Sequence, residues 1–133
     1  MVNHRLKLDG HEFRTRFDDG VRNSFVLETT IQGGCVESLS QPRTLLRNGE
    51  PIVFDRIALI QPELAGHSFC VATYVSENLG KDVDGTPFEI VIGSLTMKQH
   101  GIRFDAEGET LDLTRFARDI AEFSEYPLSR HAA

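Results

Sequence analysis

A lone Asp-x-Gly at the exit of a strand-like run, followed about a domain's width later by an apolar triplet closed by glycine, constrains this chain more than any other feature. The first is Phe17-Asp18-Asp19-Gly20-Val21 and the second is Ile90-Val91-Ile92-Gly93. Residues 88–92 are apolar except for Glu89, as expected of a central strand. Gly20 permits the tight backbone turn that would aim the Asp18 carboxylate inward. At 133 residues the chain is expected to be one domain over 1–133, large enough for a real core and too small for two.

Composition narrows the class of partner. The chain is 40% hydrophobic and 26% charged, which suits a globular protein and not a disordered one. A net charge of −6 and a pI near 5.3 argue against nucleic acid, since phosphate binding needs a basic stripe. No apolar run approaches bilayer length, so no membrane span is expected. Cys35 and Cys70 are the only cysteines, and residues 1–12 hold no apolar leader segment, so a reducing cytoplasmic setting is expected. Both cysteines read as small buried hydrophobes, with a disulfide or a thiol nucleophile as less favoured alternatives.

The chain reads as mostly β. Leu6-Lys7-Leu8, the turn Asp9-Gly10 and residues 12–17 make a hairpin, with Phe13, Thr15 and Phe17 on one face and Arg14 and Arg16 on the other. A short strand covers 24–27, and Gly33-Gly34 interrupts the segment after it. A second hairpin over 43–60 turns at Asn48-Gly49, Gly66 turns the chain again, and 69–75 is strand-like. Residues 81–87 are rich in turn formers. Ser94 is expected to cap a short helix through His100 that Gly101 stops. Residues 102–104 and 111–113 pair across 106–108. Thr114 is then expected to cap a helix over about 114–125, with Phe116, Ile120 and Phe123 on one face and a tail that frays.

These residues resemble the retropepsin-like aspartic proteases, single-domain relatives of pepsin that work as homodimers. The likeness covers about residues 5–113. It rests on a hairpin feeding the acidic turn, on Asp18-Asp19-Gly20-Val21 where the family has Asp-Thr/Ser-Gly-Ala, on a flap-like hairpin tipped by Asn48-Gly49, and on Val91-Ile92-Gly93 running into a helix. The resemblance implies a closed acid-protease β-barrel with one short helix, to which the 114–125 helix is an addition. It further implies that Asp18 is catalytic, that Asp19, Gly20 and Val21 form the active-site loop, and that Asn48 and Gly49 form the flap. Val91, Ile92 and Gly93 become the structural strand-Gly motif.

The chemistry so implied needs two chains. Two carboxylates about 3 Å apart cannot both ionise, so a pair of Asp18 side chains on a twofold axis would share one proton. One would act as base toward water while the other donates to the carbonyl of an extended peptide or protein substrate, with no cofactor and no metal. The chain departs from the family at Asp19, where Thr or Ser locks the two loops together. A carboxylate accepts hydrogen bonds but does not donate unless protonated. Arg22 stands where viral members carry an acid that pairs with an arginine, and here that second position is Ser94. Arg14 and Arg16 occupy a strand that is usually more apolar, and one of the three arginines could offset the acids if it points inward.

Plainer readings stand beside these. Asp18 can be a solvated turn residue, and Asn48-Gly49 an ordinary hairpin. The five histidines show no metal-ligand spacing, and neither Ser24 nor Ser38 sits in a hydrolase motif. Three functions therefore remain: an aspartic endopeptidase, a catalytically impaired protease-fold dimer that binds peptides or proteins, and an unrelated small β-barrel. Strand order separates the third, because the 90–93 strand of the protease fold must cross beside Asp18.

Overall fold

Two-residue turns shape most of the architecture of the computed structural model, which describes residues 1–31 and 36–117. Strands β1 (Val2–Leu8) and β2 (His11–Phe17) join at Asp9-Gly10, and β4 (Val36–Arg47) and β5 (Glu50–Ile60) join at Asn48-Gly49. Both residues of each turn have positive φ, +53° and +82° in the first and +51° and +80° in the second. That geometry matches the twist of the flanking strands, and Asp-Gly and Asn-Gly adopt it at least cost. Between them runs β3 (Ser24–Leu27).

The chain continues through β6 (Glu63–Leu64), β7 (His67–Ser68), β8 (Val71–Ser76) and β9 (Ile90–Ile92) into helix α1 (Ser94–His100). A separate pair, β10 (Arg103–Phe104) and β11 (Leu111–Asp112), comes last. The β6–β7 hairpin is not legible in the sequence beyond a turn at Gly66, because each arm is only two residues long. The first nine strands form one sheet in the order β4-β5-β8-β3-β9-β2-β1-β6-β7. Within it β2 runs parallel to β9 and β3 parallel to β8, and the other pairs are antiparallel.

This linear order corrects the expectation of a closed barrel. Among the described residues the two edges, β4 and β7, do not pair. β7 has two residues, and β4 is almost wholly exposed. No helix among the described residues is long and apolar enough to cross a membrane.

The core explains the uninterrupted apolar run. Ile90 and Ile92 are fully buried with Leu6, Phe17 and Val26 on one face of the sheet. Val91 points to the other face, against Leu79 and Phe88. A central strand covered on both sides needs apolar residues at every position, and each such side chain contributes about 1.5–3 kcal/mol by leaving water. The ladder is shorter than the apolar run, but Glu89 already bridges both neighbours. Its N–H donates to the Arg14 carbonyl at 2.9 Å, and its carbonyl accepts from the Leu27 N–H at 2.8 Å.

Three local expectations are corrected. Gly93, not Ser94, is the N-cap of α1, and no side chain caps it. The first free amides go instead to backbone, Ser94 N–H to the Val21 carbonyl at 2.7 Å and Leu95 N–H to that of Arg22 at 3.2 Å. Cys70 is exposed rather than buried, since its neighbour Phe69 takes the inward position. Residues 114–117 form a turn in which Asp112 Oδ1 accepts from both the N–H and the hydroxyl of Thr114. Phe116 there is buried edge-on against Phe69. The remainder of the expected terminal helix, its Ile120 and Phe123, the tail, Gly33-Gly34 and Cys35 all lie outside the described residues.

Candidate functional site

Asp18 owes its position to the alternation along β2. Thr15 and Phe17 point into the core, which leaves Arg14 and Arg16 on the opposite face and ends the strand at Asp18. The last bond of the β2–β9 ladder runs from Asp18 N–H to the Ile92 carbonyl at 3.0 Å, so the 90–93 strand does lie beside Asp18. The carboxylate then closes a tight turn, its Oδ1 accepting from Gly20 N–H at 3.0 Å. Asp18 is half-buried, while Asp19 and Gly20 are exposed.

The loop after this turn is threaded across the end of β9. A Cβ on Gly93 would lie 2.3 Å from the Asn23 carbonyl oxygen and 2.7 Å from that of Arg22. No side chain fits there, which is the physical reason for glycine after the apolar triplet. Ser24, the first residue of β3, completes the clasp. Its buried hydroxyl accepts from Gly93 N–H at 3.0 Å and sits 2.8 Å from the hydroxyl of Thr96 on α1. Sequence reading missed this pair, because no local pattern links positions 24 and 96.

Of the three arginines weighed as counter-charges, Arg16 is the one beside Asp18. Its Nε lies 3.6 Å from Asp18 Oδ2, and its Cζ sits 5.3 Å from the centroid of the Phe88 ring. This Nε is buried and has no hydrogen-bond partner, so the contact with Asp18 is Coulombic rather than a formed hydrogen bond. Arg14 turns away to pair with Asp82 in the 81–87 loop. That loop is held by its own acids. Asp82 Oδ1 accepts from the N–H groups of Asp84 and Thr86, and hydrogen bonding first with Asp82 and then with Thr86 lowers the Asp84 carboxyl to about 2.

A cavity of about 580 Å³ opens next to Asp18. The Asp18 loop bounds it through Gly20 and Val21, and the β4–β5 hairpin bounds it through Leu45, Leu46 and Asn48. Asn48 thus shares a cleft with Asp18, whereas Gly49 stands at the hairpin tip with nothing around its Cα that a Cβ would meet. Phe25, Phe54 and Tyr74 pack together as tilted rings at centroid distances of 5.4–6.0 Å, and the first two reach the cavity wall. The remaining wall includes Asn78, whose carbonyl accepts from Arg47 Nη1 at 2.8 Å and ties the hairpin to the loop after β8. Among the described residues no three His, Cys, Asp or Glu side chains come together in a way that could hold a metal ion.

No protein-family model matches this chain, and no curated protein matches it in sequence. Among solved structures it is similar to the retroviral protease-like domain of Ddi1 from Leishmania major, with a TM-score of 0.56 and 15% sequence identity. The match covers 87% of this chain and 88% of that one. At that identity the likeness shows the fold: this chain is a mostly β protein of retropepsin-like fold.

Proposed function

We propose that this chain is an aspartic endopeptidase that works as a homodimer, each copy supplying Asp18. The observation that carries the proposal is the cleft shared by the half-buried Asp18 carboxylate and the Asn48-tipped hairpin. The retropepsin-like fold supports it.

In this reading a twofold partner brings a second Asp18 within hydrogen-bonding range, and the pair shares one proton. One carboxylate takes a proton from water as the water attacks the scissile carbonyl carbon. The other donates its proton to the carbonyl oxygen. The hydrogen bonds that pin Val21, Arg22 and Ser24 to the amides of Ser94, Leu95 and Gly93 keep the acid from wandering, since misplacing a catalytic group by even 1 Å costs about 100-fold. The 45–49 hairpin covers an extended peptide, excludes water and adds strand-like hydrogen bonds. The terminal helix and a reducing cytoplasmic location belong to the same proposal.

Incubation with unfolded casein across about pH 4–8, comparing wild type with Asp18→Asn, tests it, with sedimentation to read the oligomeric state. Cleavage by the wild type and its loss in the variant is the expected result. A stable dimer that cleaves at no pH would instead identify a protease-fold binding module, for which Asp19 and the Arg16–Asp18 contact supply the reason. A strictly monomeric chain overturns both readings.

A further inference from the structure

The cleft beside Asp18 carries charge opposite to that of the whole molecule. The chain has 20 acidic against 14 basic residues. Yet the ionisable side chains lining the cavity are Arg16, Arg22 and Arg47 against Asp18 alone. The three cations come from three different elements: β2, the loop after Asp18, and the end of β4. Among the described residues neither Arg22 nor Arg47 makes an ion pair. Arg47 spends one guanidinium nitrogen on the Asn78 carbonyl and keeps its charge unopposed. Asp19, Glu50 and Glu77 are near in sequence but do not line the cavity.

The uncharged wall is mixed, with Leu45 and Leu46 on the hairpin and Phe25 and Phe54 supplying apolar surface beside Asn23, Asn48, Ser76 and Asn78. Leu46 is 75% exposed, an apolar side chain left for a ligand to cover. A cleft with apolar patches and two guanidinium groups free of ion pairs, those of Arg22 and Arg47, selects by charge as well as by shape. Arginine holds carboxylates through two parallel N–H···O bonds.

We infer that the cleft is built for extended peptides in which acidic side chains alternate with apolar ones, Arg22 and Arg47 receiving the carboxylates. This rests on the reading of the cleft as a peptide-binding groove and adds the substrate class. A twofold partner would present the same charges again, so dimerisation reinforces the preference.

The test uses the full chain carrying Asp18→Asn, so that binding is read without turnover. Fluorescence anisotropy compares a labelled peptide of alternating Leu/Phe and Glu with the same peptide in which every Glu is Gln, at low and high salt. The acidic peptide is expected to bind about fivefold tighter or more at low salt, with the preference shrinking as salt screens it. Arg22→Ala with Arg47→Ala should abolish the preference while thermal unfolding stays cooperative, and Arg22→Lys with Arg47→Lys should retain part of it. Equal affinity for the two peptides, or tighter binding of the Gln peptide, overturns the inference. If casein is nonetheless cleaved by the wild type, the protease reading survives that failure. Preferential binding without cleavage by the wild type supports the charge selection and moves the function to a binding module.

Discussion

Arg16 in β2 and Asp18 just past its end lie two residues apart, and the guanidinium Nε of the first stands 3.6 Å from a carboxylate oxygen of the second. The side chains are 23% and 19% exposed, so water screens the pair only in part. The guanidinium is also held over the Phe88 ring, which fixes its distance from the acid and limits its freedom to leave. On the homodimer reading, the carboxylate that shares a proton with its twin begins with a cation at its side.

A double-mutant cycle of Arg16→Met and Asp18→Asn, read by denaturant unfolding, is expected to give a coupling of about 0.5–1 kcal/mol that falls at high salt. Arg16→Lys should not restore it, because a lysine ammonium lacks the planar fork that stacks on Phe88. A coupling of zero at low salt would show that the contact is incidental.

The clasp on Gly93 is expected to be the most mutation-sensitive point of the site. Gly93→Ala forces backbone against backbone at the Asn23 carbonyl, and should cost about 3 kcal/mol or more, or prevent folding. Ser24→Ala leaves the Gly93 N–H and the Thr96 hydroxyl without a partner in a buried place, and should cost about 1–3 kcal/mol. Thermal or urea unfolding checks both. A Gly93→Ala protein as stable as wild type would mean that the loop does not pass across the end of β9.

On the homodimer reading, Asp19 is the residue that weakens assembly. Two Asp18 and two Asp19 side chains crowd one axis, and like charges repel, so the dimer should dissociate more readily near pH 7.5 than near pH 5. Asp19→Thr removes two of the charges and restores a hydroxyl that can both donate and accept. It should tighten the dimer at about pH 7.5 by roughly tenfold, equivalent to about 1.4 kcal/mol. Sedimentation at the two pH values measures this, and identical behaviour of the two proteins would remove charge crowding from the account.

Acid should loosen two loops before it unfolds the core. Asp84 is held at about 2, by hydrogen bonding with Asp82 first and Thr86 second. Asp105 is lowered from 3.8 by the Thr110 hydroxyl first and then by the Glu109 N–H. A carboxylate lowered in the folded state lends stability that is present above its unfolded value and lost as pH falls through the folded one. The 82–86 and 105–110 loops are therefore intact at neutral pH and loosen from about pH 4 downward. Amide exchange of Gly85, Thr86, Glu109 and Thr110 across an acid titration reads this directly. Protection unchanged down to about pH 2 would show that these hydrogen bonds do not hold the loops.

What could be read from the chain alone was local. Asp9-Gly10 and Asn48-Gly49 dictate their hairpins because few other dipeptides accept two successive positive φ values. The unbroken apolar run 90–92 dictates a strand covered on both faces, and an Asp-x-Gly at the end of β2 dictates an acid at a turn. Three-dimensional contacts settled what depends on distant residues: the carbonyls of Val21 and Arg22 that cap α1 in place of Ser94, and the Ser24–Thr96 clasp. They also placed Arg16 as the neighbour of Asp18 and left the sheet edges unpaired. Backbone preference acts over a few residues and leaves its mark in sequence, whereas a hydrogen bond or an ion pair across 72 positions exists only once the strands have found their order.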